Sequence, residues 1–222
     1  MEPEFWLTRW ARKEIGFHQA TPHSALQRYW ASLAVPSGAP VLVPLAGKSR
    51  DMVWLAEHGH RVIGIELSEI AVREFFTECG LRAEHSAEAV WTSGAYTLIC
   101  CDIFELDRTR VEALVGQEIG GVFDRAALIA LPPPMRQRYA TQMAGLVRET
   151  TPTLLVTLEY EQSEMEGPPH SVAESEVHAL YGGTHRIELL SRDHNLNDFP
   201  RFAARGVRRI AECVYRMTPA KC

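Results

Sequence analysis

The strongest constraint on the fold of this chain is a strand–helix–strand unit written into residues 41–67. Val41-Leu42-Val43 is a short apolar strand, Gly47 a turn, and Ser49–His58 a helix. His58-Gly59-His60 is a second turn, and Arg61–Leu67 a second apolar strand. Gly47-Lys48-Ser49 looks like the end of a phosphate-binding loop, but such a loop needs a glycine at position 42, where this chain has Leu42. A triphosphate is therefore excluded. Glu66 closes the second strand about 20 residues after the glycine turn, where an acidic side chain in doubly wound folds accepts ribose hydroxyls. The alternative is a surface carboxylate in a turn; the position after a strand–glycine–helix turn favours ribose, and hence a nucleoside ligand.

Five runs read as buried parallel strands: 41–45, 61–67, 96–101, 121–123 and 153–159. Helices are expected over 49–58, 68–79, 108–115 and 135–149. Ser68 caps one that Gly80 ends, and Pro132-Pro133-Pro134 makes an extended entry to another. Ser171-Val172-Ala173-Glu174 has the pattern of a capping box, opening a helix that runs to Gly182-Gly183. Two further strands, 185–191 and 209–217, are joined by the polar loop Asp193–Arg205, so they close the sheet antiparallel. The expectation is a single α/β domain over 1–222, with a seven-stranded mixed sheet, helices on both faces and an N-terminal helical segment over 1–37. A chain of 222 residues, 46% hydrophobic, can bury one such core.

Composition narrows the function. A net charge of −5 gives no footprint for nucleic acid or an anionic membrane, and Arg201, Arg205, Arg208 and Arg209 read as a solvated face. Tyr29 to Gly47 is uncharged and long enough to cross a bilayer, but prolines and glycines interrupt it as a helix. Five cysteines without a Cys-x-x-Cys pair suit a reducing cytoplasm and offer no zinc spacing. The first residues lack signal-peptide character, so a cytoplasmic protein is expected. No metal site and no serine-nucleophile elbow is visible.

In a sheet of this pattern the ligand lies beyond the carboxyl ends of the strands, which here are Leu45, Glu66, Asp102-Ile103 and Asp124-Arg125. Asp102 can contact an adenine amino group, with Ile103 on the ring face, or can simply cap the next segment. Trp6 and Trp10 share a helical face; they are either core residues or a cover for the ligand edge.

The stretches FWLTRW, IGFHQ, PLAGKSRDMVWLAEHGHRVIGIELSEIAVREFF, FDRAALIALPPPMRQRYA and PPHSV together resemble the bacterial branch of the thiopurine S-methyltransferases, over nearly the whole chain. Ala46 departs from the cysteine common in that family's turn, and a small side chain there keeps the turn. The resemblance implies a class I, Rossmann-like methyltransferase using S-adenosyl-L-methionine, with the N-terminal segment closing over the cofactor. It implies cofactor contacts at Trp10, Leu45, Glu66, Ile103 and Arg125, with Trp6 and Phe17 lining the same pocket. Arg125 either orients an anionic substrate or holds its turn by a salt bridge. The implied substrate is a small aromatic or heterocyclic thiol, or a selenium or tellurium compound, taken by a monomer. No side-chain base stands with confidence at the strand ends, so the substrate's own acidity is expected to supply the thiolate. Asp124 and His18 are the fallback bases. A non-catalytic nucleoside-binding module and a dehydrogenase are the rival classes, the latter weakened by the missing Gly-x-Gly-x-x-Gly.

Overall fold

The computed structural model describes residues 3–86, 89–194 and 199–220. Among them the strands form one nine-stranded sheet. In chain order they are β1 (Pro40–Pro44), β2 (Arg61–Glu66), β3 (Glu84–His85), β4 (Val90–Ser93), β5 (Tyr96–Cys100), β6 (Gly121–Arg125), β7 (Thr153–Tyr160), β8 (His185–Asp193) and β9 (Ile210–Pro219). The order across the sheet is β3-β4-β5-β2-β1-β6-β7-β9-β8. The run β5-β2-β1-β6-β7 is parallel, and β9 and β8 close one edge antiparallel.

All seven expected strands are present, with two more than expected. β3 and β4 form a short antiparallel hairpin against β5. At two and four residues, their apolar alternation is too brief to distinguish from loop. The polar loop of 193–205 is described only in part, because residues 195–198 lie outside the described residues, as Cys222 also does. Within it, Pro200–Ala203 forms one helical turn, α9.

The helices are α1 (Pro3–Ala11), α2 (Ser24–Tyr29), α3 (Arg50–Glu57), α4 (Glu69–Glu78), α5 (Arg108–Val115), α6 (Ala127–Ala130), α7 (Pro133–Leu146) and α8 (Glu174–Tyr181). Alternation along the strands divides the core into two layers. Leu42, Ile63, Ile65, Val122 and Leu155 pack with α5 to α8 on one face of the sheet. Val41, Val43, Val62, Phe123 and Leu154 pack with α2, α3 and α4 on the other. With both faces covered, the central strands are apolar on both faces over most of their length, which is why they read as nearly continuous hydrophobic runs.

Local signals set several helix ends. Ser49 and Ser68 accept backbone N–H groups at the starts of α3 and α4, and α7 starts on Pro133. The capping box at 171–174 does not form. Ser171 Oγ instead accepts the N–H of Tyr160 at 2.9 Å, and α8 begins after Ala173 with no side-chain cap. A strand-end N–H with no ladder partner has outcompeted the local cap.

The face carrying α2 packs tightly on β6. A Cβ on Gly121 would lie 2.7 Å from Val35 Cγ2 and 3.2 Å from the Trp30 ring. Trp30 in turn donates its indole N–H to His60 Nε2 at 2.9 Å. Gly121→Ala should therefore destabilise the protein by roughly 1–3 kcal/mol through overpacking. Urea unfolding measures this, and an unchanged midpoint would show that residues 30–35 pack less closely than described.

Candidate functional site

The carboxyl ends of β1, β2, β5, β6 and β7 open into a cavity of about 870 Å³, and α1 and the segment after it form its roof. Of the ligand-edge residues singled out in the sequence, Trp6, Trp10, Phe17, Leu45, Glu66, Asp102, Ile103 and Arg125 reach this wall and Asp124 does not.

Glu66 sits at the junction of two turns. Its Oε2 accepts the N–H of Gly47 at 2.7 Å, and its Oε1 accepts that of Ser68 at 2.8 Å. Burial raises its pKa, while hydrogen bonds from the N–H groups of Ser68, Gly47 and Leu67 pull it back. Each oxygen keeps a second lone pair, so the carboxylate can hold the turns and still accept from a ligand. Lys48, the residue that mimics a phosphate ligand, turns away from the cavity. Its ammonium lies 2.7 Å from Glu74 and 2.6 Å from Glu78 of α4. Burial alone would lower its pKa, but those two carboxylates outweigh burial and raise it.

The turn after β1 is strained. Leu45 has φ +47°, and Ala126, after β6, has φ +67°. Neither residue is glycine, and both border the cavity. Left-handed backbone at a non-glycine residue costs on the order of 1–3 kcal/mol and clusters at ligand sites. No composition signal marks such positions. Ala46 sits beneath this turn, 3.2 Å from where a Cβ on Gly64 would lie, so a small residue there keeps the turn close to β2.

Asp102 caps the following turn, its Oδ1 accepting the N–H of Phe104 at 3.0 Å, and it also lines the cavity. Ile103 is buried in the core behind it. Arg125 forms the salt bridge. Its Nε donates to Asp51 Oδ2 at 2.7 Å, and Asp51 is only 2% exposed. Asp51 also accepts the N–H of His23 at 2.7 Å and the hydroxyl of Ser49 at 2.8 Å.

The roof is aromatic. Trp10 is buried against Gly47, where a Cβ would lie 3.2 Å from its ring. Phe17 makes edge contacts with Trp6 and Trp10 at 5.5 and 5.7 Å between ring centres. Arg201 of α9 donates to the carbonyl of Gly16, tying the roof to the far wall. Two buried donors there, Trp6 Nε1 and Arg9 Nε, have no hydrogen-bond partner among the described residues.

Arg201, Arg205, Arg208 and Arg209 are exposed, as a solvated face requires. Arg201 and Arg205 also border the cavity, and Arg208 pairs with Glu164 at 2.5 Å. Sequence reasoning missed Asp51, His23, Thr157, Pro168, Pro169, Phe199, Phe202 and Glu212. All but Asp51 line the same cavity, and they arrive from separated parts of the chain. Asp51 had one usable signal, its place two residues after the capping Ser49.

Of the fallback bases, Asp124 is outside the cavity lining and 2% exposed. Burial pushes its pKa up to about 6, against the hydrogen bonds from Tyr139 (2.7 Å to its hydroxyl) and Leu128. His18 borders a small adjoining pocket, its pKa lowered first by burial and next by Lys48. Among the described residues, no cluster of three or more His, Cys, Asp or Glu could hold a metal ion. Among the same residues, no helix is long and apolar enough to cross a membrane.

A parallel sheet with a closing antiparallel pair, an acidic residue ending β2 and a strained turn ending β1 define a class I methyltransferase fold. Solved structures agree. A methyltransferase from Burkholderia thailandensis that acts on 1,6-didemethyltoxoflavin, solved with S-adenosylhomocysteine, superposes with a TM-score of 0.59 at 18% identity, over 97% of this chain and 87% of that one. A SAM-dependent methyltransferase from Anabaena variabilis gives 0.64 at 12% identity, over 98% and 95%.

The chain belongs to the thiopurine S-methyltransferase family, whose sequence profile matches residues 1–220. It is 47% identical over 220 residues to the thiopurine S-methyltransferase of Bordetella parapertussis, covering 98% of both chains. It is 45% identical to that of Pseudomonas fluorescens, covering 98% and 99%. It is thus an S-adenosyl-L-methionine-dependent S-methyltransferase.

The Asp124–Tyr139 pair gives a pH prediction. A carboxyl whose folded pKa, about 6, exceeds its ordinary value near 3.8 contributes stability that is present below pH 4 and lost as pH rises through 6. Asp124→Asn removes that dependence. Between pH 4 and 7.5, urea unfolding should show the wild type losing stability relative to Asp124→Asn, on the order of 1–3 kcal/mol. Parallel profiles would mean that Asp124 titrates as an ordinary carboxylate.

Proposed function

We propose that the chain is a single domain that methylates the sulfur of an aromatic or heterocyclic thiol, with residues 1–37 as a lid. The observation that carries this is the continuity of the cavity. One end presents Leu45, Gly47, Glu66, Asp102 and Ile103 at the strand ends, and the other presents Pro168, Pro169, Phe199 and Phe202, all under the Trp6, Trp10 and Phe17 roof. The first end fits S-adenosyl-L-methionine: Glu66 faces ribose, Asp102 and Ile103 face adenine, and the orphaned donors Trp6 Nε1 and Arg9 Nε await an acceptor. When bound, the cofactor supplies a methyl group on a sulfonium sulfur.

Methyl transfer from a sulfonium to a thiolate is an in-line displacement in which opposite charges disappear. A dry pocket and good alignment favour it. The aromatic roof excludes water, and its ring faces suit a sulfonium. Arg125, its Nε held by Asp51, orients the anionic partner with its remaining N–H groups. The free thiols Cys79, Cys100, Cys101 and Cys213 suit a cytoplasmic setting, and we read the enzyme as a monomer acting on a small molecule.

Titration calorimetry should show binding of S-adenosyl-L-methionine and S-adenosylhomocysteine, and none of NAD or ATP. Glu66→Ala should weaken that binding by roughly 1–3 kcal/mol; wild-type affinity would remove the ribose assignment. Methyl transfer should be detected to 6-mercaptopurine, with selenite and tellurite assayed alongside. Turnover confined to the selenium or tellurium compounds would overturn the thiol reading.

Removing residues 1–17 should leave a folded, inactive protein, because Trp6 and Trp10 cover the cavity from outside the sheet. Thermal unfolding of the truncated chain at a much lower temperature would make these tryptophans core residues instead.

A further inference from the structure

The cavity wall includes a carboxylate, Glu212, that the reading above leaves without a task. Glu212 lies on β9, opposite Leu158 of β7 and Asp193 of β8, borders the cavity and is 19% exposed. Its Oε2 lies 3.1 Å from His23 Nε2. His23 is itself 8% exposed, and its Nδ1 accepts the N–H of Ala25 at 3.2 Å. In the neutral ring the proton therefore sits on Nε2, which donates to Glu212. The backbone N–H of His23 goes to Asp51, the carboxylate that holds Arg125. Glu212 is thus fixed in space relative to Arg125, with Oε1 free of protein partners among the described residues. The charged groups around it are His23 from the start of α2, Asp193 across the β8 ladder, and Arg201 and Arg205 on the cavity wall, with Asp51 and Arg125 behind His23.

A carboxylate so placed has no part in the reaction of a substrate that arrives as a thiolate, which Arg125 orients as described above. It is right for a heterocycle in its thione form, whose sulfur is a neutral C=S and whose ring nitrogen carries the proton. We propose that Glu212, oriented by His23, is the proton acceptor for the ring N–H of a heterocyclic thione, which makes N–H thiones the preferred substrate class of this site. The inference rests on the thiol-methylating function proposed above. In the step, a thione sulfur lone pair forms the new S–CH3 bond as the methyl–sulfonium bond breaks, and that bonding pair stays on the departing sulfur. The ring N–H proton passes to Glu212, the N–H pair becomes part of the aromatic ring, and both products leave neutral. Glu212 then returns its proton to solvent.

The test compares two substrates across pH: a heterocyclic N–H thione that is neutral under assay conditions, and an electron-poor benzenethiol that is already ionised and has no ring N–H. For Glu212→Gln, the ratio of kcat/KM for thione over thiolate should fall by about 100-fold, a typical contribution of a positioned general base. The thione pH profile should then follow the substrate's own ionisation. Glu212→Asp should recover part of the ratio. A ratio unchanged in Glu212→Gln, or losses equal for both substrates, would overturn the assignment. Should Glu212→Gln fail to fold or to bind S-adenosyl-L-methionine, the ratio in Glu212→Asp decides, and an unchanged ratio there also overturns it. A wild-type enzyme that turns over neither substrate removes the thiol reading and this inference together. One that turns over both, with the ratio unmoved by mutation, removes this inference alone.

Discussion

The site is organised by the buried carboxylate of Glu66. Its two oxygens take the N–H groups of Gly47 and Ser68, which belong to the turns after β1 and β2. Those N–H groups cannot find ladder or helix partners, because each sits where a strand has ended and a helix has not begun. One side chain therefore satisfies both turns and holds them at a fixed separation. The strained backbone at Leu45 persists because Glu66 fixes the far side of the same turn and Trp10 presses on Gly47 from above. Keeping a carboxylate charged in such a place is costly, and the backbone hydrogen bonds offset that cost in part.

A second network joins the sheet to what covers it. Asp51, at the start of α3, receives Arg125 from β6, the hydroxyl of Ser49 and the N–H of His23. His23 then reaches Glu212 on β9. Buried ion pairs of this kind are poor contributors to net stability, but loss of one partner leaves a charge without compensation. What they provide is relative position: α2, α3, β6 and β9 meet at one corner of the cavity. The roof is held differently, by aromatic edge contacts and the Arg201 bond to Gly16. Edge contacts of this size are worth about 0.5–1.5 kcal/mol beyond the area they bury.

Charge in the cavity is arranged by pairing. Lys48 looks like an anion ligand in the sequence, yet Glu74 and Glu78 consume it. Arg201 and Arg205 look like solvated surface, and they are exposed but also border the cavity. Neither outcome follows from residue type, because the partners lie on α4 in the first case and across the cavity in the second.

The parallel strands, the helix starts at Ser49 and Ser68 and the position of Glu66 were legible in the sequence, because each depends on local periodicity or on a cap within a few residues. The same is true of the residues at the strand ends, since a parallel sheet brings the carboxyl ends of all its strands to one edge. The β3–β4 hairpin was not legible, being too short to carry a period, and the capping box at 171–174 gave way to a strand-end N–H contributed by Tyr160. The acceptor wall was also hidden: His23, Thr157, Pro168, Phe199 and Glu212 meet only when β7, β9 and the segments beside them are packed. Sequence alone determined which residues gather at the carboxyl edge of the sheet, because that edge is built from local strand–turn–helix units. Tertiary structure alone decided what lines the opposite wall of the cavity, because that wall is made of contacts between residues far apart in the chain, whose closure no local pattern records.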